Sequence, residues 1–323
     1  MKPLIMAMVL TLLSVFATAA LAAETAYPSK VIQIIVGLPA GSQPDTVARL
    51  LAHTLAGVWG RQVVIDNVTG AAGNIATERV TKAAPDGYTL GLLTQGQIAV
   101  NPSLYRLAFD TMRDLTPASQ ISASPSILVV SNALSVANAR ELIKLARTTP
   151  GELTFASGGS GSSPHIAAEL LKAAAGLDIR HIPYKGVAAA VPDVLAGRVT
   201  MMFAPASLAL PLVRDGKLRA LAVTSANRFS AAQDLPTIAE SGVASFQFTT
   251  WNGLLAPANT PQAIMRALHL EAAKALASAI CVRGLLSWVS SPVGRSPDEF
   301  AALIKSESSR WAKLIKDAAI TAE

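Results

Sequence analysis

Two loops rich in glycine, serine and proline carry most of the chemistry this chain offers. The first is Ala40-Gly41-Ser42-Gln43-Pro44-Asp45 and the second is Ser157-Gly158-Gly159-Ser160-Gly161-Ser162-Ser163-Pro164-His165. Each joins the end of an apolar run to a segment with helical spacing. Glycine lets a backbone approach a ligand closely, and hydroxyl and amide side chains add neutral donors and acceptors. The N-terminus of a helix presents N–H groups without internal partners and a partial positive charge. Together these suit an anion such as a carboxylate. Asp45 has the wrong sign for direct anion contact, so it is expected to cap backbone N–H groups or hold a water. Ser163 reads as a helix cap, with Pro164 at the first helical position; Pro44 starts the earlier helix in the same way. The competing readings are a plain strand-to-helix connection for the first loop and a flexible linker for the second. The tight flanking elements disfavour a linker. Two further loops sit at strand ends. Thr94-Gln95-Gly96-Gln97 offers two amides, and Tyr184-Lys185-Gly186 offers a hydroxyl and a charge, although a lysine there is most often simply solvated.

Signatures of catalysis fail their spacing tests. No Gly-Lys-Ser/Thr follows the second loop, so it is not a P-loop. Ser162 stands where a G-x-S-x-G elbow needs its last glycine. The four histidines, His53, His165, His181 and His269, are not paired at metal-ligand spacing. His165, at a helix start, is expected to cap or to line a cleft. The chain therefore reads as a binding protein without metal or cofactor. An exported hydrolase using Ser160, His165 and an aspartate is the enzymatic alternative. The single cysteine, Cys281, lies in a helical pattern and reads as a buried small hydrophobe. The formal charge of +6 comes from scattered lysines and arginines, and aromatics are only 5%, so no nucleic-acid surface is indicated.

The elements that must position these loops alternate. Strands are predicted at 31–36, 63–65, 89–93, 127–130, 154–156, 179–182, 199–203 and 220–224. Helices are predicted at 45–58, 74–83, 136–148, 164–175, 188–196 and 208–214, with a mostly helical end over 261–286 and 297–319. This alternation specifies an α/β fold with largely parallel sheets. With 323 residues, 51% of them apolar, the chain has material for two lobes. Residues 1–22 read as a signal peptide: Lys2, the apolar run Ile5 to Ala20, then Ala20-Leu21-Ala22 as a cleavage site. An uncleaved membrane anchor is the alternative, and either way the body is exported.

Several motifs, each weak alone, occur together in order. They are Tyr27-Pro28-Ser29-Lys30, the first loop to Asp45, Gly70-Ala71-Ala72-Gly73-Asn74-Ile75, Ala84-Pro85-Asp86-Gly87-Tyr88-Thr89 and Asn101-Pro102-Ser103-Leu104-Tyr105. After the second loop come His181-Ile182-Pro183-Tyr184-Lys185-Gly186 and Gly216-Lys217-Leu218-Arg219-Ala220-Leu221-Ala222-Val223-Thr224. In these the chain resembles the solute receptors of tripartite tricarboxylate transporters, the Bug family. The resemblance implies a type II periplasmic-binding fold: two α/β lobes joined by two crossing strands, 23–126 with 247–323 as one lobe and 127–246 as the other. It implies a periplasmic, monomeric receptor that captures a small mono-, di- or tricarboxylate and delivers it to membrane permease subunits. A sensory receptor docking to a signalling protein is the alternative that sequence leaves open. The ligand is expected to meet Ala40, Gly41, Ser42, Gln43, Asp45, Asn74, Thr94 and Gln95 on one side. On the other it is expected to meet Ser157, Gly159, Ser160, Ser162, Ser163, His165, Tyr184, Lys185 and Ala204. The first loop departs from the family's Pro-Gly-Gly pattern at Ala40 and Ser42. Ala204-Pro205-Ala206 replaces a common acidic or amide residue, which leaves an amine without a partner and favours a plain carboxylate.

Overall fold

The structure, a computed structural model, describes residues 27–322; the expected signal peptide lies outside them. The apolar run Ile32–Val36 forms β1, whose side chains are almost all buried. Helix α1 (Gln43–Trp59) follows, burying Val47, Leu51 and Leu55, which recur at the helical period, and ending at the left-handed Gly60. Next come β2 (Val63–Asn67), α2 (Asn74–Thr81) and β3 (Thr89–Thr94). A π-helical turn, Gly96–Val100, runs into the short α3 (Asn101–Leu104). Strand β4 (Leu115–Ser124) then passes almost without a break into β5 (Ser126–Ser131).

The second half of the αβ pattern comprises α4 (Ala139–Thr148), β6 (Thr154–Ser157), α5 (Ser163–Ala175), β7 (Arg180–Pro183), α6 (Val187–Leu195), β8 (Met201–Pro205), α7 (Ala206–Arg214) and β9 (Leu218–Val223). Strand β10 (Thr250–Pro257), helices α8 (Gln262–Ala277) and α9 (Ala279–Ser287), β11 (Ser291–Arg295) and α10 (Pro297–Asp317) complete the chain. Helix α10 starts at a full capping box, Ser296 with Glu299.

Two mixed sheets result. The first has order β11-β4-β10-β3-β1-β2 and the second β7-β6-β8-β5-β9. The chain passes from one to the other twice, through Ser124–Ser126 and again between β9 and β10. The expectation of largely parallel sheets needs correction. Only the βαβ units pair parallel, β1 with β2 and β3 and β6 with β7 and β8. Strand β10 is antiparallel to β3 and β4, β11 to β4, and β5 to β8 and β9. A strand entering directly from the other sheet has no helical crossover behind it, and parallel neighbours need that crossover.

One apolar cluster spans both sheets. It joins Leu93 and Ile98 to Leu128, Phe155 and Phe203, and to Phe300 and Trp311 of α10. Each fully buried side chain of this size contributes about 1.5–3 kcal/mol, and Phe300 and Trp311 hold α10 against Trp251 and Phe248. Cys281 is buried beside the Thr54 hydroxyl of α1, 3.3 Å away. Among the described residues no helix is long and apolar enough to cross a membrane.

Candidate ligand-binding site

A cavity of about 590 Å³ lies where the two sheets meet. Its wall holds residues from the tip of α1 (Gln43, Pro44), from the segment after β3 (Thr94, Gln95, Gln97, Asn101, Leu104, Tyr105) and from the first crossing (Ser124 to Ser126). The second loop supplies Gly158, Ser160, Gly161, Ser162 and Ser163, and the tip of α7 supplies Pro205, Ala206 and Ser207. Thr250, Trp251 and Asn252 come from the second crossing strand, with Trp288 and Val289 beyond α9 and Leu38 and Ala72 completing the wall. Among the described residues, no aspartate, glutamate, lysine, arginine or histidine lines it. Three helix N-termini, those of α1, α5 and α7, open into this space. Prolines near the starts of α1 and α5 fix the first turn and remove an amide that would otherwise need a partner. Neither Ser42 nor Ser162 caps its helix with its side chain, so no side-chain cap competes for the first-turn amides there.

The α1 tip is braced from behind. Asp45 is buried and lies off the cavity; its carboxylate accepts from Gly41 N (2.8 Å), Arg49 Nε (3.0 Å) and Asn67 Nδ2 (3.0 Å). Burial alone would raise its pKa, but these hydrogen bonds and the Arg49 charge outweigh that and hold it below the ordinary carboxylate range. Asp45 thus folds the loop from the far side. Ala40 and Gly41 are exposed, and neither they nor Ser42 line the cavity. Gln43 lies in a side-chain network: Asn252 Nδ2 donates to Gln43 Oε1 (3.1 Å), and Gln43 Nε2 points to the hydroxyls of Ser124 (3.5 Å) and Ser290 (3.4 Å). This network ties a helix tip to both crossing segments.

The second loop rests on a buried ring stack. The His165 and His181 rings lie 3.9 Å apart, nearly parallel, with Phe155 4.8 Å from His181. His165 Nδ1 accepts from Gly161 N (3.0 Å), the Ser157 hydroxyl meets His181 Nε2 (2.6 Å), and Ser162 Oγ donates to Gly159 O (2.7 Å). Ser157, Gly159 and His165 are therefore the scaffold of the loop, and they stand behind the wall that Ser160, Ser162 and Ser163 present. The Ser157–His181 pair is not an accessible nucleophile, since Ser157 is fully buried. Burial, with the neighbouring His181 and Lys172, pushes His165 down to about 4.

The His165 shift carries a prediction. The unfolded chain takes up a proton near 6.5 and the folded chain near 4, so stability falls as pH drops through that window and levels off below it. The loss is on the order of 3 kcal/mol. His165→Asn keeps an acceptor for Gly161 but cannot titrate. Urea midpoints at pH 7 and pH 4.5 should differ less in the variant than in the parent, and equal differences would refute the assignment.

Other expected residues scatter. Asn74 is buried behind the wall, where its Oδ1 accepts from Asn101 Nδ2 (2.7 Å). The Tyr184 hydroxyl donates to Asp193 (2.6 Å), a bond that, with burial, pushes it up to about 12. Lys185 is exposed, and Ala204 is enclosed in the apolar cluster of the second sheet. Thr94 and Gln95 do line the cavity. The segments that sequence reading passed over are the crossing strands with Trp251 and Asn252, the helical residues Asn101 and Leu104 with the adjoining Tyr105, and the Trp288-Val289 loop. Of these, only Asn101 to Tyr105 lay within a motif. Val289 adopts φ 56, a left-handed conformation that a β-branched residue rarely holds.

Behind Gln95 and Trp251 sits Glu307 of α10. Its Oε2 accepts from Gln95 Nε2 (2.9 Å) and Trp251 Nε1 (2.7 Å). Burial raises its pKa, and these hydrogen bonds only partly offset the effect.

Two α/β sheets joined by paired crossings around a cleft that offers neutral donors define the two-lobed fold of a solute-binding protein. Comparison with known proteins makes the class specific. The tripartite tricarboxylate transporter family receptor, TctC, matches residues 47–320, and the chain belongs to that family. Protein BugT of Bordetella pertussis is 35% identical over 318 residues, covering 97% of this chain and 98% of the relative. Rpa4515 of R. palustris, solved with adipate, superposes with a TM-score of 0.79 at 34% identity, covering 92% of this chain and all of that one (100%). MatC of Rhodopseudomonas palustris, solved with bound malate, gives 0.74 at 29% identity, covering 90% and 100%.

Proposed function

We propose that this chain is a periplasmic receptor that closes over a small organic carboxylate and delivers it to the membrane subunits of a tripartite tricarboxylate transporter. The two lobes are 23–126 with 247–323, and 127–246; they swing about the two crossings, and residues 1–22 direct export. The observation that carries the reading is the cavity wall: three helix tips and a row of hydroxyls and amides, with no carboxylate, ammonium, guanidinium or imidazole among the described residues. Such a wall stabilises an anion through neutral dipoles and bridging waters. It releases the anion without breaking an ion pair, which suits a carrier. The adipate and malate held by the two relatives are of the size and charge that this wall would take.

Titration of the purified protein with a panel of mono-, di- and tricarboxylates, followed by calorimetry and thermal melting, tests this. A ligand at a hundredfold excess over its Kd adds about 2.7 kcal/mol, a rise in Tm of about 5 °C for a chain of this size. A panel that gives neither heat nor a shift would overturn the proposal.

A further inference from the structure

The side-chain amides on the cavity wall are not free to face either way. Gln95 Nε2 donates to the Thr249 carbonyl (3.0 Å) and to Glu307 Oε2 (2.9 Å). Asn101 Nδ2 donates to the Ala72 carbonyl (3.1 Å) and to Asn74 Oδ1 (2.7 Å). Backbone carbonyls and carboxylates only accept, so in both residues the nitrogen must face the protein. Both of its hydrogens are used. The carbonyl oxygens are what remain. Among the described residues nothing donates to Gln95 Oε1 or Asn101 Oδ1, and neither is among the occluded unpaired atoms. The residues themselves are only 2% and 5% exposed and both line the cavity, so each oxygen opens on it. One part of the wall thus presents acceptors, opposite in character to the donor-bearing helix tips.

We infer that the ligand carries a hydroxyl beside its carboxylate, and that its single O–H donates to Gln95 Oε1 while Asn101 Oδ1 accepts from a bridging water. This rests on the carboxylate-receptor reading above and narrows it to hydroxycarboxylates. A buried acceptor left without a donor is costly, so an acid lacking the hydroxyl binds less well. The Glu307 carboxylate behind Gln95 strengthens the effect, because a hydrogen bond to the amide nitrogen polarises its carbonyl. A ligand ammonium is a poorer match, since no ionised carboxylate lines the cavity to offset its charge.

Calorimetry on the full mature protein with matched pairs tests the assignment: succinate against malate, glutarate against 2-hydroxyglutarate, and tricarballylate against citrate, with aspartate and glutamate as amino counterparts. In the pair that fits the cavity, the hydroxy acid should bind about tenfold more tightly or better. Gln95→Met should shrink that ratio, with the plain acid changing less than the hydroxy acid. Because the ratio is measured first on the unaltered protein, a poorly folding variant does not blunt the test. Equal affinity within every pair, or tighter binding of the amino acids, overturns the hydroxyl assignment and leaves the carboxylate receptor standing. No binding by any of the acids overturns both.

Discussion

Gly161→Ala should weaken ligand capture by about tenfold or more, the equivalent of roughly 1.4 kcal/mol, and should also lower the melting temperature of the ligand-free protein. The two effects have separate causes. Gly161 sits at φ +74, a left-handed conformation in which a side chain costs about 1–2 kcal/mol. That strain is local to the loop and present with or without ligand, so it lowers Tm. The second cause lies across the cleft. A Cβ on Gly161 would stand 2.3 Å from Leu104 Cδ1. Leu104 belongs to the helical segment that follows β3 of the first sheet, and Gly161 to the loop that follows β6 of the second. The clash therefore opposes the approach of the two lobes seen here, and under the proposed closure over a ligand it appears in the Kd. Trimming the opposing side chain separates the two: Leu104→Ala in the Gly161→Ala background should restore much of the affinity while Tm stays low. Calorimetric Kd values and melting curves for the two single variants and the double variant decide this. A parental Kd in Gly161→Ala would mean that the lobes do not meet at this contact.

The sequence made the βαβ frame visible because its strands are apolar runs that need burial on both faces, such as Ile32 to Val36 and Ile127 to Val130. The starts of α1 and α5 were visible because a proline follows Gln43 in one and Ser163 in the other. The crossing strands hid. Leu115–Ser124 reads LTPASQISAS and Thr250–Pro257 reads TWNGLLAP. Proline, glycine and small polar residues in that density signal turns, and only their position between two lobes makes them strands. The same limit applies to the site. Spacing located the tips of α1 and α5 but could not say which atoms of each loop line the cavity. Asp45, Ser157 and His165 bear the most reactive groups of their loops, yet each is turned inward to hold the loop's own N–H groups or hydroxyls. The wall is finished by Leu104, Trp251 and Val289, side chains whose types suggest only core. A side chain's chemistry is local, but its direction depends on what packs behind it, and here that support is distant in sequence, as Gln95 on Glu307 shows.

That support makes the second crossing strand the most sensitive place in the fold. Gly253 in β10 lies under the Phe300 ring of α10, and a Cβ there would stand 2.2 Å from Phe300 Cζ and 2.5 Å from Cε1. Its φ is not left-handed, so the conflict is one of space alone. The ring has little room to yield: Phe300 is fully buried and meets Trp251 edge-on, with centroids 5.1 Å apart at 85°. Gly253→Ala should therefore cost about 3 kcal/mol, the upper part of the usual range for overpacking, and lower Tm by about 6–10 °C. Phe300→Leu alone should also destabilise, by leaving a cavity. In the Gly253→Ala background the smaller side chain relieves the clash, so the double variant should be more stable than the sum of the two losses predicts. The coupling should be at least about 1 kcal/mol, as expected for residues that compete for one volume. Additive losses would show that the ring moves aside freely. Ligand affinity adds a second reading. Trp251 and Asn252 precede Gly253 on the same strand and line the cavity, and Trp251 Nε1 shares Glu307 with Gln95. A strand pushed off α10 by one methyl group also disturbs the carboxylate that orients Gln95, so the folded fraction of Gly253→Ala should bind its ligand less tightly although the altered residue is not part of the wall.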